Sequence, residues 1–293
     1  MKDHLKVLRE KVIIRGTVTP LTALHIGWQR SFDPVSSDAP VIKDPAGSPY
    51  IPGSSFKGII RSFIEGFLGG AELPEKLKPC YPTDNESCID EKEIEKIKER
   101  VALERAEQER KKEKKTSLEA EIAEYVTGKA CPVCRIFGSS YMGGKLKIKD
   151  MPIISQWNNA FLQIRDGVVI DRDSRTARDK GKYDFEIVSP GTTFSLEIAG
   201  DNLEDYEKGL LFTAFDLVSQ GFGALGGNVS RGTGRIKIDM TEIEILNTKK
   251  LFQQYEADGK IEPEKKTGAD LKKYEAEMKD VFFKTFKGEV EHV

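Results

Sequence analysis

The spacing of apolar residues changes along the chain, and the two spacings predict two kinds of element. In strands every second residue is apolar, whereas helices place apolar residues at intervals of three and four. The strand spacing predicts four strands. They fall at residues 11–19, 145–151, 193–198 and 235–245.

The clearest helical pattern begins after Ser54 or Ser55, which are good N-cap residues, and ends at Gly69 and Gly70. A second helix, with Tyr206 near its start, precedes the last strand. The order along the chain is strand, helix, strand, polar excursion, strand, helix, strand. We therefore predict an α+β protein with a ferredoxin-like, RRM-like βαββαβ core.

Two charged segments interrupt and extend this core. Residues 89–124 are mostly Glu, Lys and Arg and predict a charged helical hairpin, in which Thr116 and Glu119 fit a capping box. This hairpin is either a solvated insertion without chemistry or an interaction arm. The C-terminal segment is helix-prone, but its glycines and proline argue against one continuous helix. We predict a palm at residues 1–79 and 135–247, a helical, zinc-binding insertion at 80–134 and a C-terminal extension at 248–293.

The charge composition limits how the protein could bind a nucleic acid. The 293 residues include 46 basic and 48 acidic side chains, and the formal net charge is -2. The whole molecule is therefore not a nonspecific polycation, and any nucleic-acid site must be a local patch. No apolar run is long enough to span a bilayer, and the N-terminus has no signal-peptide pattern. We expect a soluble, cytoplasmic protein.

The chain has four cysteines: Cys80, Cys88, Cys131 and Cys134. They are too few for a disulfide scaffold at this size, and the last two have the spacing of a metal or redox pair. Four thiolates would complete a structural Zn²⁺ site and leave no open position for catalysis. The alternatives are buried thiols with two incidental cysteines, and a redox pair, against which the missing βαβ context argues.

The start of the first helix is suited to an anion. The turn at residues 52–55 supplies free backbone amides, among them those of Ser54 and Ser55, and Lys57 and Arg61 lie one and two turns inward. Such helix ends attract phosphate. The alternative is an ordinary capped core helix.

A glycine-rich segment at residues 221–234 contains GxGxxG by letter count. It follows a helix and precedes a strand, which is the reverse of the dinucleotide-binding arrangement, so we reject that interpretation. Arg231 and Arg235 could pair with phosphates where glycine allows close approach. A flexible connecting loop is the alternative.

The polar excursion at residues 166–186 predicts a β-hairpin. Its basic residues could contact phosphates, but five aspartates nearly cancel their charge, so a solvated hairpin is the alternative. The basic residues are Arg172, Arg175, Arg178, Lys180 and Lys182.

Three loop aspartates, Asp33, Asp38 and Asp44, could each act as a base, bind a divalent cation or cap a turn. The residues alone do not choose among them. His25 is the one well-placed histidine, which argues against a two-histidine ribonuclease site.

Together these residues resemble the RAMP superfamily, most closely the Csm/Cmr-type backbone subunits of type III CRISPR effector complexes. The insertion and the cysteines resemble the zinc-bearing subunits of type III-D and related effectors. The matching pieces follow family order: His25-Ile26-Gly27, residues 38–43, residues 51–58 with Arg61, Ile136-Phe137-Gly138, residues 171–188 and the glycine-rich segment through Arg235.

The resemblance implies a subunit that assembles in several copies, with other RAMP-type subunits, along a guide RNA (crRNA). A thumb hairpin at about residues 167–188 would interrupt pairing between guide and target RNA, while base pairing reads the target sequence. The RNA-binding residues carried over are Ser54, Ser55, Lys57, Arg61, Arg172, Arg175, Arg178, Arg231 and Arg235.

The resemblance also implies cleavage of the target RNA. The aspartate that precedes the small-Pro-Val-Ile-Lys-Asp run is Asp38. Our hypothesis is a metal-dependent endoribonuclease in which Asp38 positions Mg²⁺ or Mn²⁺, or takes a proton, as a 2′-hydroxyl attacks the adjacent phosphate. The alternatives are an architectural crRNA-binding subunit with an inert Asp38 and a standalone zinc-containing RNA-processing protein.

Overall fold

The computed structural model describes residues 7–27, 37–81, 87–111, 117–155 and 162–288. It is a mixed α+β fold with antiparallel sheets, as predicted. The helices are α1 (Gly53–Gly69), α2 (Glu91–Lys111), α3 (Leu118–Lys129), α4 (Pro132–Phe137), α5 (Asp205–Leu217), α6 (Thr248–Asp258) and α7 (Gly268–Phe286). The strands are β1 (Glu10–Pro20), β2 (Tyr50–Ile51), β3 (Gly138–Ser139), β4 (Met142–Gly143), β5 (Leu146–Ile148), β6 (Met151–Pro152), β7 (Leu162–Ile170), β8 (Ala177–Val188), β9 (Phe194–Asp201), β10 (Ile236–Asn247) and β11 (Glu264–Thr267).

The central sheet has five antiparallel strands in the order β11-β10-β1-β9-β5. Three of the predicted strands lie in it in full, with β1 between β10 and β9, and the fourth lies in it in part. The segment predicted as one strand at 145–151 is two short strands, separated by residues 149 and 150. Strand β5 joins the central sheet, whereas β6 pairs with β2.

The core lies on one face of this sheet. Strand β9 alternates strictly between buried and partly exposed residues, so that every second side chain points into the core. Helix α5 is buried over ten consecutive residues because α7 covers the side that the sheet does not. The two helices approach closely at Gly209, where a Cβ atom would lie 2.0 Å from the carbonyl oxygen of Met278.

Helix α1 begins two or three residues earlier than predicted, and no serine caps it. Its N-cap is Pro52, and the Gly53 amide donates to the carboxylate of Asp150 at 2.8 Å. The N-cap prediction for Ser54 or Ser55 was therefore wrong, because a carboxylate from 97 residues along the chain replaces a local cap. The predicted apolar face is otherwise confirmed, and the helix ends at the two glycines.

The predicted hairpin is present as β7 and β8. It is longer than predicted, because β7 already begins at Leu162 and pairs with the end of β8 at Val188. Side chains along β7 are largely exposed. The hairpin therefore projects from the body, and among its described side chains the buried ones lie at the end of β8, near residues 185–188.

The charged insertion forms two helices, α2 and α3, as predicted. A small apolar cluster of Ile89, Ile94, Val126 and Met142 holds its base together. The cap of α3 is Ser117, whose hydroxyl accepts from the Ala120 amide. The predicted capping residue, Thr116, lies outside the described residues.

The C-terminal extension folds onto the body. Strand β11 pairs with β10, and α7 packs on α5 through a stripe of Leu271, Tyr274 and Met278, followed by Phe282. Gly259 and Gly268 separate α6, β11 and α7, so the predicted breaks are confirmed. Among the described helices, none has the length and apolar character needed to cross a membrane.

Candidate functional site

Residues 37–43, here called the Asp38 loop, lie between two other segments of the chain. Ala39 pairs in parallel with Phe185 of β8, and the Ile42 amide donates to the carbonyl oxygen of Ile26. The loop is thus fixed by main-chain hydrogen bonds on both sides. It joins the hairpin to the segment that follows β1.

Asp38 and Asp184 are joined by two reciprocal hydrogen bonds, each from the backbone amide of one residue to the carboxylate of the other. The Asp38 amide donates to Oδ1 of Asp184 at 2.8 Å, and the Asp184 amide donates to Oδ2 of Asp38 at 3.1 Å. The Ser37 hydroxyl also donates to Oδ1 of Asp184 at 2.7 Å. The hydrogen bonds from Ser37 and from the Asp38 amide hold the pKa of Asp184 below its usual range. The Asp38 side chain remains exposed, and its Oδ1 accepts no hydrogen bond from the described residues.

Glu186 makes a second connection between β8 and the Asp38 loop. Its Oε2 accepts from the Val41 amide at 3.0 Å, and its carboxylate forms an ion pair with Lys43 at 2.8 Å. Asp184 and Glu186 are two residues apart on one strand, so their side chains share a face. The loop therefore contacts the hairpin at both of its ends.

His25 is buried between the hairpin and the glycine-rich segment. Its Nδ1 lies 2.7 Å from the carbonyl oxygen of Glu186, and because a carbonyl only accepts, Nδ1 carries the proton. The His25 carbonyl accepts from the Gly227 amide at 2.8 Å. Gly226 has a φ of 89°, and a Cβ there would lie 2.2 Å from the His25 carbonyl oxygen, so glycine is needed for this approach.

The glycine-rich segment brings Arg231 to the base of the hairpin. Its guanidinium lies 5.6 Å from the ring centroid of Tyr183, and its Nη1 donates to Asn228 at 3.1 Å. Arg235 lies further along the same segment, with Nη2 3.5 Å from the carbonyl oxygen of Gln220. Both arginines are exposed and form no ion pair with a described carboxylate.

The other two candidate aspartates differ from Asp38. Oδ1 of Asp44 accepts from the amides of Ala46 and Ser48, each at 2.9 Å, so Asp44 caps its own turn. Asp33 lies outside the described residues.

The start of α1 is the second candidate RNA-binding region. Ser54 is exposed, Ser55 is partly exposed, and neither backbone amide has a partner among the described residues. Burial lowers the pKa of Lys57, and the nearby positive charge of Arg61 lowers it further. Arg61 itself is engaged: its Nε donates to Glu65 at 2.8 Å and its Nη1 to the carbonyl oxygen of Gly138 at 3.1 Å.

Two of the three hairpin arginines proposed to bind RNA lie at the tip, far along the strands from Asp38. Asp171 forms the tip turn by accepting from the Ser174 amide at 2.9 Å and from its hydroxyl at 3.0 Å. Arg172 and Arg175 are exposed beside this turn. Arg178 lies in β8, and its side chain is outside the described part of the structure.

The four cysteines meet at the base of the insertion. All four Sγ atoms lie within 4.8 Å of one another, and no disulfide joins them. Sγ of Cys80 is 3.4 Å from that of Cys134 and 3.7 Å from that of Cys131. A tetrahedral ion with metal–sulfur bonds of about 2.3 Å would place its sulfurs about 3.8 Å apart. The cluster therefore fits a metal ion.

Neither Asp184 nor Glu186 was singled out from the sequence: Asp184 was counted only among the five aspartates that offset the hairpin's basic residues, and Glu186 was given no role. The signal was the Asp-Phe-Glu run at residues 184–186, in which two acids flank an apolar residue at strand spacing. That spacing places both carboxylates on one face. Their partner in the chain, 146 residues away, could not be read from the sequence.

Comparison with known proteins gives one family and two relatives. The profile of the RAMP superfamily matches residues 17–237. The chain is 25% identical over 286 residues to the "CRISPR system Cms endoribonuclease Csm3" of Methanocaldococcus jannaschii, covering 94% of this chain and 96% of that protein. A protein of the same name from Methanothermobacter thermautotrophicus is 46% identical over 59 residues, which are 20% of this chain and 24% of the relative.

Proposed function

Because the chain belongs to the RAMP superfamily, we propose that it is a crRNA-binding backbone subunit of a type III CRISPR effector and that it cleaves complementary target RNA at regular intervals. The observation that carries this proposal is the full-length similarity to a protein named as a Csm3 endoribonuclease. The exposed Asp38 carboxylate at the base of a projecting hairpin supports the cleavage step.

The proposed chemistry is attack by a target 2′-hydroxyl on its neighbouring phosphate. The new bond joins O2′ to phosphorus, the bond to the 5′-oxygen breaks, and the products carry a 2′,3′-cyclic phosphate and a 5′-hydroxyl. Asp38 takes the proton from the 2′-hydroxyl or holds a divalent cation through its open Oδ1. Mg²⁺ or Mn²⁺, when bound, would neutralise charge developing on the phosphate.

The residue set proposed for the guide RNA comes from two parts of the chain. Lys57, with the amides of Ser54 and Ser55, supplies charge and donors at the start of α1, whereas Arg231 and Arg235 supply charge beside the hairpin base. Cations without a protein carboxylate partner are free to pair with phosphate. Arg61, which already bonds Glu65 and Gly138, also fixes α1 to the end of α4.

The tip arginines complete the proposed RNA-binding set. Arg172, Arg175 and Arg178 would contact RNA where the hairpin, acting as a thumb, interrupts the paired strands. The exposed hydrophobic residues of β7, including Ile164 and Ile170, are suited to contact with unstacked bases.

We further propose that the cysteine cluster holds structural Zn²⁺, since four thiolates without an open position suit zinc. In this proposal β1, α1, β5, β9, α5 and β10 form the ferredoxin-like palm. Their strand order, β10-β1-β9-β5, with one helix between the first two strands and another between the last two, supports that assignment. The palm, the zinc-binding insertion and the C-terminal extension keep the boundaries given above.

Sequencing the RNA that copurifies with the chain tests the assignment to a crRNA-guided complex. We expect repeat-derived guide RNA together with other RAMP-type subunits. Copurification of the chain alone with unrelated RNA would instead support a standalone RNA-processing protein. Guide binding without target cleavage would support the architectural alternative.

A further inference from the structure

The reciprocal hydrogen bonds between Asp38 and Asp184 connect Asp38 directly to strand β8 of the hairpin. Oδ1 of Asp184 accepts two donors from the loop, the Ser37 hydroxyl at 2.7 Å and the Asp38 amide at 2.8 Å. Ser37 is itself buried, so this anchor is shielded on one side. Hydrogen bonds to a charged acceptor are stronger than those between neutral groups.

The anchor acts close to the proposed chemistry. Asp184 contacts the main chain of the residue that bears the proposed catalytic carboxylate, and its own amide holds Oδ2 of that carboxylate. Removal of the Asp184 side chain would release the Ser37 hydroxyl and the Asp38 amide. The backbone amide of residue 184 would still reach Oδ2 of Asp38, and the Glu186 contacts to Val41 and Lys43 would stay in place. The loop would then move at the Asp38 end only.

We propose that Asp184 is a positioning residue for target cleavage, which sets Asp38 relative to the β7–β8 hairpin. This inference rests on the proposed function. It adds that the Asp184 side chain helps to fix the position of the cleavage residue relative to the hairpin that contacts the RNA. A displacement of about 1 Å in a reacting group can cost about 100-fold in rate.

Asp184 is a poor candidate for the proton acceptor itself. Its Oδ1 is occupied by two donors, and those donors lower the pKa of its carboxyl group, which weakens it as a base. Asp38 has only one hydrogen bond to its carboxylate among the described residues, at Oδ2. The two aspartates therefore have different roles.

The test compares single-turnover cleavage rates and target affinities of assembled, guide-loaded complexes. Asp184→Ala should lower the cleavage rate by about 10- to 100-fold, with target affinity within about twofold of the wild type. Asp184→Asn keeps an oxygen acceptor for both donors and should recover most of the lost rate. Asp166→Ala is the matched control, because Asp166 pairs directly across the hairpin from Asp184 but does not contact the loop.

Ser37→Ala removes one of the two donors and should lower the rate by a smaller factor, about three- to tenfold for one hydrogen bond. The double variant Ser37→Ala/Asp184→Ala should be no slower than Asp184→Ala, because both changes break the same contact. If Asp184→Ala fails to assemble, Ser37→Ala and Asp184→Asn decide the question. A wild-type rate in Ser37→Ala would then overturn the proposal, and a reduced rate would support it.

The outcomes separate this inference from the proposed function. Cleavage that is lost in Asp38→Ala but unchanged in Asp184→Ala would overturn the positioning role alone. A rate in Asp184→Asn as low as in Asp184→Ala would also overturn it, since the charge rather than the acceptor would matter. Wild-type cleavage in Asp38→Ala would contradict the proposed function itself.

Discussion

The ammonium of Lys145 lies 2.5 Å from Oε2 of Glu207, and neither side chain is exposed to solvent. Glu207 also accepts from the Glu204 amide at the start of α5, and Arg135 of α4 lies 3.7 Å from its Oε1. Burial lowers the pKa of Lys145, and the carboxylate of Glu207 opposes that shift. Lys145, Arg135 and Glu207 thus connect the start of β5, α4 and α5 inside the protein.

Replacing Lys145 should therefore destabilise the protein strongly. Lys145→Met leaves the buried Glu207 carboxylate without its ammonium partner and with only the more distant Arg135, and we expect a loss of about 3–5 kcal/mol in the free energy of unfolding. Lys147→Ala is the control, because Lys147 is exposed and its ion pair with Asp201 should contribute less than about 1 kcal/mol. Urea denaturation measures both; equal losses would show that burial of the Lys145 pair does not matter.

The C-terminal helix should be part of the cooperative fold. Phe282 is 2% exposed against α5, whereas its neighbour Phe283 is 46% exposed. Phe282→Ala should cost about 3–5 kcal/mol through lost burial and the cavity left behind, and Phe283→Ala should cost clearly less. Thermal unfolding compares the pair. If both variants lost the same small amount of stability, α7 would not be part of the cooperatively folded structure.

The sequence predicted what depends on short-range periodicity. The apolar stripe of α1 and the alternation of β9 each lie within one element and were read correctly. The cap of α1 by Asp150 and the contact of Asp38 with Asp184 join residues 97 and 146 positions apart. The pattern of residues within one helix or strand does not reveal contacts between residues so far apart in the chain. The proposed site was therefore only partly predicted.

Metal analysis should find about one zinc ion per chain if the four cysteines form a tetrahedral site. Cys131→Ser should lose the ion and lower thermal stability, because Cys131 also accepts the Cys134 amide at the start of α4. Ser140→Ala, an exposed change between β3 and β4 just after the insertion, should retain the metal. Zinc retained at full stoichiometry in Cys131→Ser would contradict the assigned ligand set.

Lys57 should contribute one phosphate contact to guide binding. Lys57→Ala should weaken affinity and lower the slope of log affinity against log salt by about one. Lys272→Ala, an exposed change on α7, is the control and should alter neither. An unchanged slope in Lys57→Ala would remove Lys57 from the RNA-binding set.

Lys57 should also make the affinity for guide RNA depend on pH. Burial and then Arg61 lower the pKa of Lys57 in the free protein, and a bound phosphate should raise it again. Its contribution to affinity should be complete below the pKa of the free form and should be lost as pH rises through the higher pKa of the bound form. Titration of guide affinity in the alkaline range, with Lys57→Ala as reference, measures this difference; the same pH profile in both proteins would contradict it.

Target cleavage by the assembled complex with Asp38 replaced tests the central claim most directly. Asp38→Asn keeps an acceptor for the Asp184 amide, and Asp44→Ala changes a neighbouring carboxylate that only caps its own turn. We predict that Asp38→Asn and Asp38→Ala lower the cleavage rate by about 10²- to 10⁴-fold while guide and target binding persist, and that Asp44→Ala cleaves normally. Cleavage at the wild-type rate and the same positions in both Asp38 variants would contradict the account.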